Sequence, residues 1–168
     1  MIDVAIADEQ SLVRPDHRRL EDAVRMILQD ESISNAQISV AVVDDRTIGR
    51  LHRKYLAVDD PTDVLSFVLE RKREFLEGEV IVSAETACAA APRFGWPAED
   101  ELLLYVIHGV LHLTGYDDGT PEEQTEIRAR EEACLARFGL RGRYRELESD
   151  PPASSAPQTA GKGGKRIP

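Results

Sequence analysis

The most constraining feature of the chain is a pair of histidines, His108 and His112, set four residues apart in an apolar run. On an α-helix this spacing puts both imidazoles on one face, about one turn apart. Gly115 can end that helix in a left-handed conformation, and the turn then brings the carboxylate of Asp118 back towards the two rings. Two imidazoles, one carboxylate and an open fourth position form a zinc arrangement of the catalytic type. The spacing therefore predicts a metal site.

Spacing alone leaves the third ligand open. Asp117 and Asp118 both follow the turn, but adjacent residues in an extended turn point in opposite directions, so only one of them can bind the metal. Asp117 would then orient a ligand from outside the metal's own shell. The alternative interpretation has no metal, and in it His108 and His112 form internal hydrogen bonds while Asp118 caps a loop.

The same spacing follows the metzincin protease pattern H-E-x-x-H-x-x-G-x-x-H. In those proteases the glutamate after the first histidine is the general base, whereas this chain has Gly109, which has no side chain. A peptidase of this type would therefore lack its base. A phosphodiester hydrolase need not use the same base, so the pattern favours action on a phosphoryl group.

Hydrophobic periodicity predicts strands alternating with helices. Strands are predicted at residues 2–6, 37–43, 64–68 and 78–83. Two helices are predicted to open on a proline, at Pro15 and at Pro97. Three more are predicted to be capped by a polar side chain, at Asp44 or Asp45, at Ser83 and at Thr120. The helix that carries the histidines is apolar nearly all round from Leu102 to Leu113, so we expect it to be buried. Residues 69–77 are mostly charged and are predicted to form an exposed connection, too long to fix the register of the strands it joins.

Length and composition predict one domain followed by a tail. A chain of 168 residues can build a core without disulfides or structural metals. Beyond Glu148 the composition changes to Ser, Pro, Ala and Gly. We therefore expect residues 1–148 to form the domain and residues 149–168 to be a disordered C-terminal tail.

Charge and targeting signals narrow the class of protein. The net charge of −10 argues against binding a polyanion over the whole surface, but it does not exclude a local basic groove. Arg50, Arg53 and Lys54 form one basic cluster and residues 71–73 another, although such runs are commonly solvated faces. No apolar run approaches a membrane span, no signal peptide is apparent, and the two cysteines are expected to be buried. The expected location is the cytoplasm.

Several motifs together resemble those of one protein family. Residues 108–118, H-G-V-L-H-L-T-G-Y-D-D, closely resemble the H-G-x-L-H-L-x-G-Y-D-H signature of the YbeY family, the ribosomal RNA maturation endoribonucleases. Upstream, residues 61–67 look like the family's P-T-D-V-L-S-F segment, and residues 78–83 are similar to its G-D-I-x-I-S strand. Glu131 aligns with a glutamate of the family's last helix. The resemblance covers about residues 1–140.

The resemblance implies an α+β fold, in which a small mixed β-sheet of about four strands is flanked by about five helices and the zinc site lies at the end of a central buried helix. It implies one zinc ion per chain, bound by His108, His112 and Asp118. It further implies a metal-dependent endoribonuclease that prefers single strands and acts in 16S ribosomal RNA 3′-end maturation and ribosome quality control, by zinc-activated water attack on a phosphodiester. Ribosomal RNA and the small ribosomal subunit are then the expected partners, without DNA or a membrane.

Two departures from the family pattern affect these expectations. The family's third ligand is usually histidine, whereas here it is Asp118, whose negative charge would partly offset that of the metal and weaken discrimination against harder metals. Before the second motif the family usually has Tyr-Arg, whereas this chain has Tyr55-Leu56. That arginine is a natural phosphate contact, and Arg53 on the preceding turn is the candidate to replace it.

Two other functions remain as alternatives. Leu56 and the acidic charge favour a zinc-containing ribosome assembly factor with little nuclease activity. A zinc hydrolase acting on a peptide is disfavoured by Gly109. The sequence also names no general base, because Glu79 and Glu131 lie near the motifs but are equally explained as a strand-end acid and a helix-stripe acid. It leaves the oligomeric state open as well.

Overall fold

The computed structural model describes residues 1–56 and 63–141, apart from the side chains at positions 55 and 56. The elements are β1 (Ile2–Asp8), α1 (His17–Asp30), β2 (Asn35–Val43), α2 (Asp45–Leu56), β3 (Val64–Lys72), β4 (Phe75–Ser83), α3 (Ala84–Ala90), a 3-10 turn (Ala91–Phe94), α4 (Ala98–Leu113) and α5 (Pro121–Ala136). The predicted tail at 149–168, the domain boundary at 148, the first two residues of the 61–67 segment and the side chain of Leu56 lie outside the described residues.

The strands form one mixed sheet in the order β1-β2-β4-β3. β1 runs parallel to β2 and β2 parallel to β4, whereas β3 pairs with β4 antiparallel. Residues 1–56 and 63–141 form five α-helices around these four strands, which confirms the predicted α+β class.

Helix α4 is buried against one face of the sheet. All its residues from Asp100 to Leu113 are buried, as its continuous apolar run predicts. Gly109 lies where α4 approaches the sheet, because a Cβ at this position would be 2.5 Å from Cγ1 of Val80. Ser66 of β3 donates a hydrogen bond from Oγ to the Gly109 carbonyl at 3.1 Å. Although α4 is strongly apolar, no helix within residues 1–56 and 63–141 is long and apolar enough to cross a bilayer.

Helix α2 packs on the opposite face of the sheet. Side chains alternate along β3, so Val64 contributes to the core that contains α4, whereas Leu65 packs with Ile48 of α2 and Ile81 of β4. The sheet thus separates α2 from α4.

The start of α1 corrects one prediction. Pro15 is not its first residue, because Asp16 accepts a hydrogen bond from the backbone N–H of Arg19 at 3.1 Å and α1 begins at His17. An aspartate that satisfies a backbone donor of the first turn stabilises a helix start more directly than a proline does. The predicted caps are found at Asp44, Ser83 and Thr120.

The predicted exposed connection over residues 69–77 is wrong. β3 continues to Lys72 and β4 begins at Phe75, so only two residues form the turn and the register is fixed. A β-bulge interrupts the pairing between Val68 and Glu70. The charged side chains lie on an exposed hairpin whose strands pair on both sides of the bulge, and Leu76 anchors it to the core with 1% of its surface exposed.

Candidate metal centre

The last turns of α4 place two imidazoles side by side. His108 and His112 are buried, with 5% and 8% of their surfaces exposed. Their ring centroids lie 4.9 Å apart, at an interplanar angle of 60°. This is the shared face that the spacing of four residues predicts.

The chain turns directly after α4 and returns to the two rings. Gly115 adopts a positive φ of 112°, and the N–H of Tyr116 donates to the carbonyl of Leu111 at 3.1 Å. The Tyr116 hydroxyl donates to Oε1 of Glu31 on α1 at 2.9 Å. Burial, reinforced by the Glu31 carboxylate, raises the pKa of the Tyr116 phenol, so it stays a neutral donor. These bonds hold the turn against α1 and α4.

This turn brings Asp118 to the histidines. Oδ1 of Asp118 lies 3.7 Å from Nε2 of His112. His108, His112 and Asp118 each offer one ligand atom, and these atoms lie within 4.8 Å of one another. Two ligands on a tetrahedral zinc ion are about 3.4 Å apart, so the group needs only a small contraction to hold one.

Asp117 is kept out of this group. Its side chain is exposed, and its Oδ1 accepts the backbone N–H of Asp118 at 3.0 Å. Of the two aspartates that the sequence left in competition, the structure brings Asp118 to the histidines and turns Asp117 to the surface.

Glu131 of α5 supports the first histidine from behind. It is fully buried and accepts a hydrogen bond from Nδ1 of His108. A carboxylate on one imidazole nitrogen fixes the ring and its tautomer, so Nε2 of His108 becomes the nitrogen suited to a metal. The sequence offered Glu131 as a base or as a helix-stripe acid. Its presence on the apolar stripe of α5 was the only local signal of this contact.

The other acid near the motifs lies elsewhere. Glu79 precedes Val80 on β4 and therefore points to the sheet face opposite α4. There it lines a shallow cavity of about 250 Å³ with Ser39, Ala41 and Ile81. The sheet thus separates Glu79 from the histidines.

Arg53, the predicted phosphate contact, is exposed on the last turn of α2. Because α2 packs on the sheet face opposite α4, the helix that carries Arg53 and the helix that carries the histidines lie on different faces of the sheet. Its proposed role therefore stays a prediction.

Comparison with known proteins identifies the family. Residues 5–139 match the family model described as Endoribonuclease YbeY. The chain belongs to this family. A relative from Roseiflexus castenholzii, named Endoribonuclease YbeY, is 35% identical over 150 residues, which are 83% of this chain and 94% of the relative. A relative of the same name from Syntrophotalea carbinolica is 40% identical over 126 residues, or 71% of this chain and 84% of the relative.

A solved structure is similar as well. The solution structure of a protein from Thermotoga maritima matches with a TM-score of 0.53 and 25% sequence identity, covering 92% of this chain and all of that one. The family model and the named relatives confirm the family that the motifs indicated.

Proposed function

We propose that the protein is a zinc-dependent endoribonuclease that cuts single-stranded RNA in the maturation of the 16S ribosomal RNA 3′ end and in ribosome quality control. The observation that carries the proposal is the convergence of His108, His112 and Asp118 at the end of α4, in a chain that belongs to an endoribonuclease family. The proposed partners are ribosomal RNA and the small ribosomal subunit, which puts the activity in the cytoplasm.

The residues present suit one zinc ion per chain. His108 and His112 supply two borderline nitrogen ligands and Asp118 supplies a carboxylate oxygen, a donor set that zinc accepts. A zinc ion bound there would lower the pKa of a coordinated water and polarise a phosphoryl oxygen. Asp118 makes the donor set harder than three histidines would, so manganese and magnesium would compete with zinc more effectively.

The protein's own residues prepare this chemistry by holding the ligands in place. Glu131 keeps the Nδ1 proton on His108 and fixes the ring. Tyr116 ties the turn that carries Asp118 to α1 through Glu31. Burial of both histidines limits the movement of their rings, which helps to keep the ligand nitrogens in place.

The position after His108 gives a reason against a peptidase. Gly109 faces the sheet, where Val80 and Ser66 leave no room for a side chain. A glutamate base on this residue would displace α4 from β4. The close packing of α4 on β4 therefore excludes a glutamate base at this position.

The test measures metal content and cleavage of a labelled single-stranded RNA by the natural protein and by His112→Ala. We expect bound zinc in the natural protein, and loss of both zinc and cleavage, by about 100-fold or more, in the variant. His17→Ala is the matched control, because His17 is exposed on α1 and should leave both quantities unchanged. Circular dichroism checks that each variant is folded.

Cleavage that persists in zinc-free protein would contradict the proposal. The second candidate, a ribosome assembly factor, is favoured by Leu56 in place of the family's arginine. Binding to the small ribosomal subunit without any cleavage of single-stranded RNA would select it. Faster cleavage of a matched duplex than of the single strand would contradict the proposed preference.

A further inference from the structure

The bulge in β3 decides which charged side chain of the hairpin faces α4. Before the bulge, Val64 and Ser66 face the helix. After it, Arg71 is the cross-strand partner of Leu76, whose buried side chain belongs to the core that contains α4. Without the extra residue, Glu70 would take that place, because alternate strand residues share a face. The bulge therefore directs a cation towards α4.

The other charged residues of the hairpin strands point away from α4. Glu70 pairs across the strands with Glu77, and Oε1 of Glu70 lies 2.8 Å from Nζ of Lys72. This carboxylate raises the pKa of the Lys72 ammonium, which stays charged but is compensated. Arg71 differs, since its partner among the described residues is an uncharged carbonyl. Arg71 is thus the uncompensated cation of these strands on the α4 side.

That carbonyl lies next to the candidate metal centre. Nη1 of Arg71 donates to the carbonyl oxygen of Leu113 at 3.1 Å, and Leu113 directly follows His112. Because Leu113 is covalently bonded to His112, this bond holds the guanidinium at the end of α4 that carries the candidate metal centre. A guanidinium has five N–H donors, so most of them stay available while one holds the carbonyl. Arg71 is also exposed, so an RNA strand can reach it.

We propose that Arg71 binds a backbone phosphate of the RNA strand that enters the metal centre. This proposal rests on the proposed endoribonuclease function. The family usually has an arginine at the position of Leu56, and a leucine cannot bind a phosphate. Arg71 supplies this contact from β3 instead. Arg53 is the weaker candidate, because its helix packs on the other face of the sheet. The Leu113 carbonyl aims the guanidinium, and the bulge determines that Arg71 faces α4.

The test measures the dissociation constant of a fluorescent single-stranded RNA from the full-length protein at a series of salt concentrations. Each reading is taken before a gel detects cleavage of the RNA. Arg71→Ala should weaken binding about tenfold and reduce the slope of log Kd against log salt by about 0.7, the value for one phosphate contact to a single strand. Arg71→Lys keeps the charge and should keep the slope. KM should rise in Arg71→Ala with kcat nearly unchanged.

The matched control is Arg93→Ala. Arg93 is exposed in the 3-10 turn before α4, and α4 is 16 residues or about 24 Å long, so this variant removes the same charge at the far end of the helix. It should bind RNA like the natural protein.

Three other outcomes would decide against this proposal or against the proposed function. If Arg71→Ala keeps the natural salt slope and instead loses zinc or melts earlier, Arg71 only caps α4 and the proposal is wrong. Equal weakening by Arg71→Ala and Arg93→Ala would also overturn it, because the effect would then be one of net charge. If binding depends on Arg71 but the natural protein never cleaves RNA, the proposed function fails while the phosphate contact stands.

Discussion

Helix α4 buries polar side chains at both ends, but the two ends use them differently. At its N-terminal end, Asp100 and Glu101 are 8% and 0% exposed. Asp100 accepts a hydrogen bond from Nη2 of Arg19 at 2.8 Å, and Glu101 accepts one from Nε1 of Trp96 at 2.8 Å. Both carboxylates also lie in the first turn, where the helix dipole favours negative charge. Each buried carboxylate at this end accepts a hydrogen bond of its own, one from α1 and one from the connection directly before α4.

At the C-terminal end the polar groups converge. His108 and His112 face each other and Asp118 approaches from the following turn, while Glu131 holds the far side of His108. Paired charges with separate partners stabilise an assembly of helices, whereas several ligand atoms aimed at one point form a site. Burial alone does not distinguish the two ends of α4. They differ because polar atoms converge on one point only at the C-terminal end.

The sharpest test of this difference compares the two buried glutamates. Glu131→Gln keeps the shape of the side chain but removes the charge behind His108, so zinc affinity should fall about 10- to 100-fold. Zinc titration against a competing chelator measures it. Glu101→Gln makes the same change in the first turn of α4 and should leave zinc affinity unchanged, because Glu101 lies at the opposite end of the helix from His112 and accepts a hydrogen bond from Trp96. An equal loss in both variants would mean that the two ends do not differ.

A smaller effect is expected where the C-terminal half of α4 meets the sheet. In Gly109→Ala the new Cβ would lie 2.5 Å from Cγ1 of Val80, so α4 or Val80 must move. The overpacking cost exceeds the gain in helix propensity, and we expect a net loss of about 1–2 kcal/mol in the free energy of unfolding, measured in urea. Gly49→Ala on α2 is the control, since its Cβ would meet nothing within 4 Å and should stabilise the protein slightly. A Gly109→Ala protein as stable as the natural one would show that this contact is loose.

The smallest effect concerns a buried group that stays neutral instead of being paired. Cys134 of α5 is 1% exposed, and burial raises the pKa of its thiol from 9.0 to about 11. The unfolded chain releases this proton near pH 9 and the folded chain does not, so the stability from this group is complete below pH 9 and falls as the pH rises to 11. The loss should be about 1 kcal/mol at pH 10. Urea unfolding at pH 8 and pH 10 measures it, and Cys134→Ala should lack this part of the pH dependence.

The grouping of His108, His112 and Asp118 could be predicted because it is local. A helical period, one glycine turn and a few residues of chain determine it, and no distant contact is needed. The burial of α4 followed for a similar reason, because a helix that is apolar all round has to be covered on most sides.

The contact between Glu131 and His108 could not be predicted in the same way. The two residues are 23 positions apart and meet only because α5 packs on α4. A lone acid on an apolar stripe shows that a partner exists, but the stripe does not say which one. The choice depends on tertiary packing.

The prediction for residues 69–77 was wrong for a different reason. Charged residues from Glu70 to Glu74 obscured the strand pattern, because an exposed hairpin can pair its backbone with polar side chains on both faces. The bulge between Val68 and Glu70 then reversed which side chains face α4, and a shift of one residue reverses every later assignment. The orientation of Arg71 was therefore inaccessible from the sequence pattern.

The three candidate ligands lie within one short piece of chain, from His108 to Asp118. Closing so short a loop costs little conformational entropy, because the cost of bringing two ends together rises with the length between them. A metal ion bound here would link the last turn of α4 to the turn that follows it, and it would not join distant parts of the fold. The apolar contacts of α4 hold the fold together on their own account. We therefore expect that removing a metal ion from this site would leave the protein folded, because the apolar contacts of α4 do not depend on it.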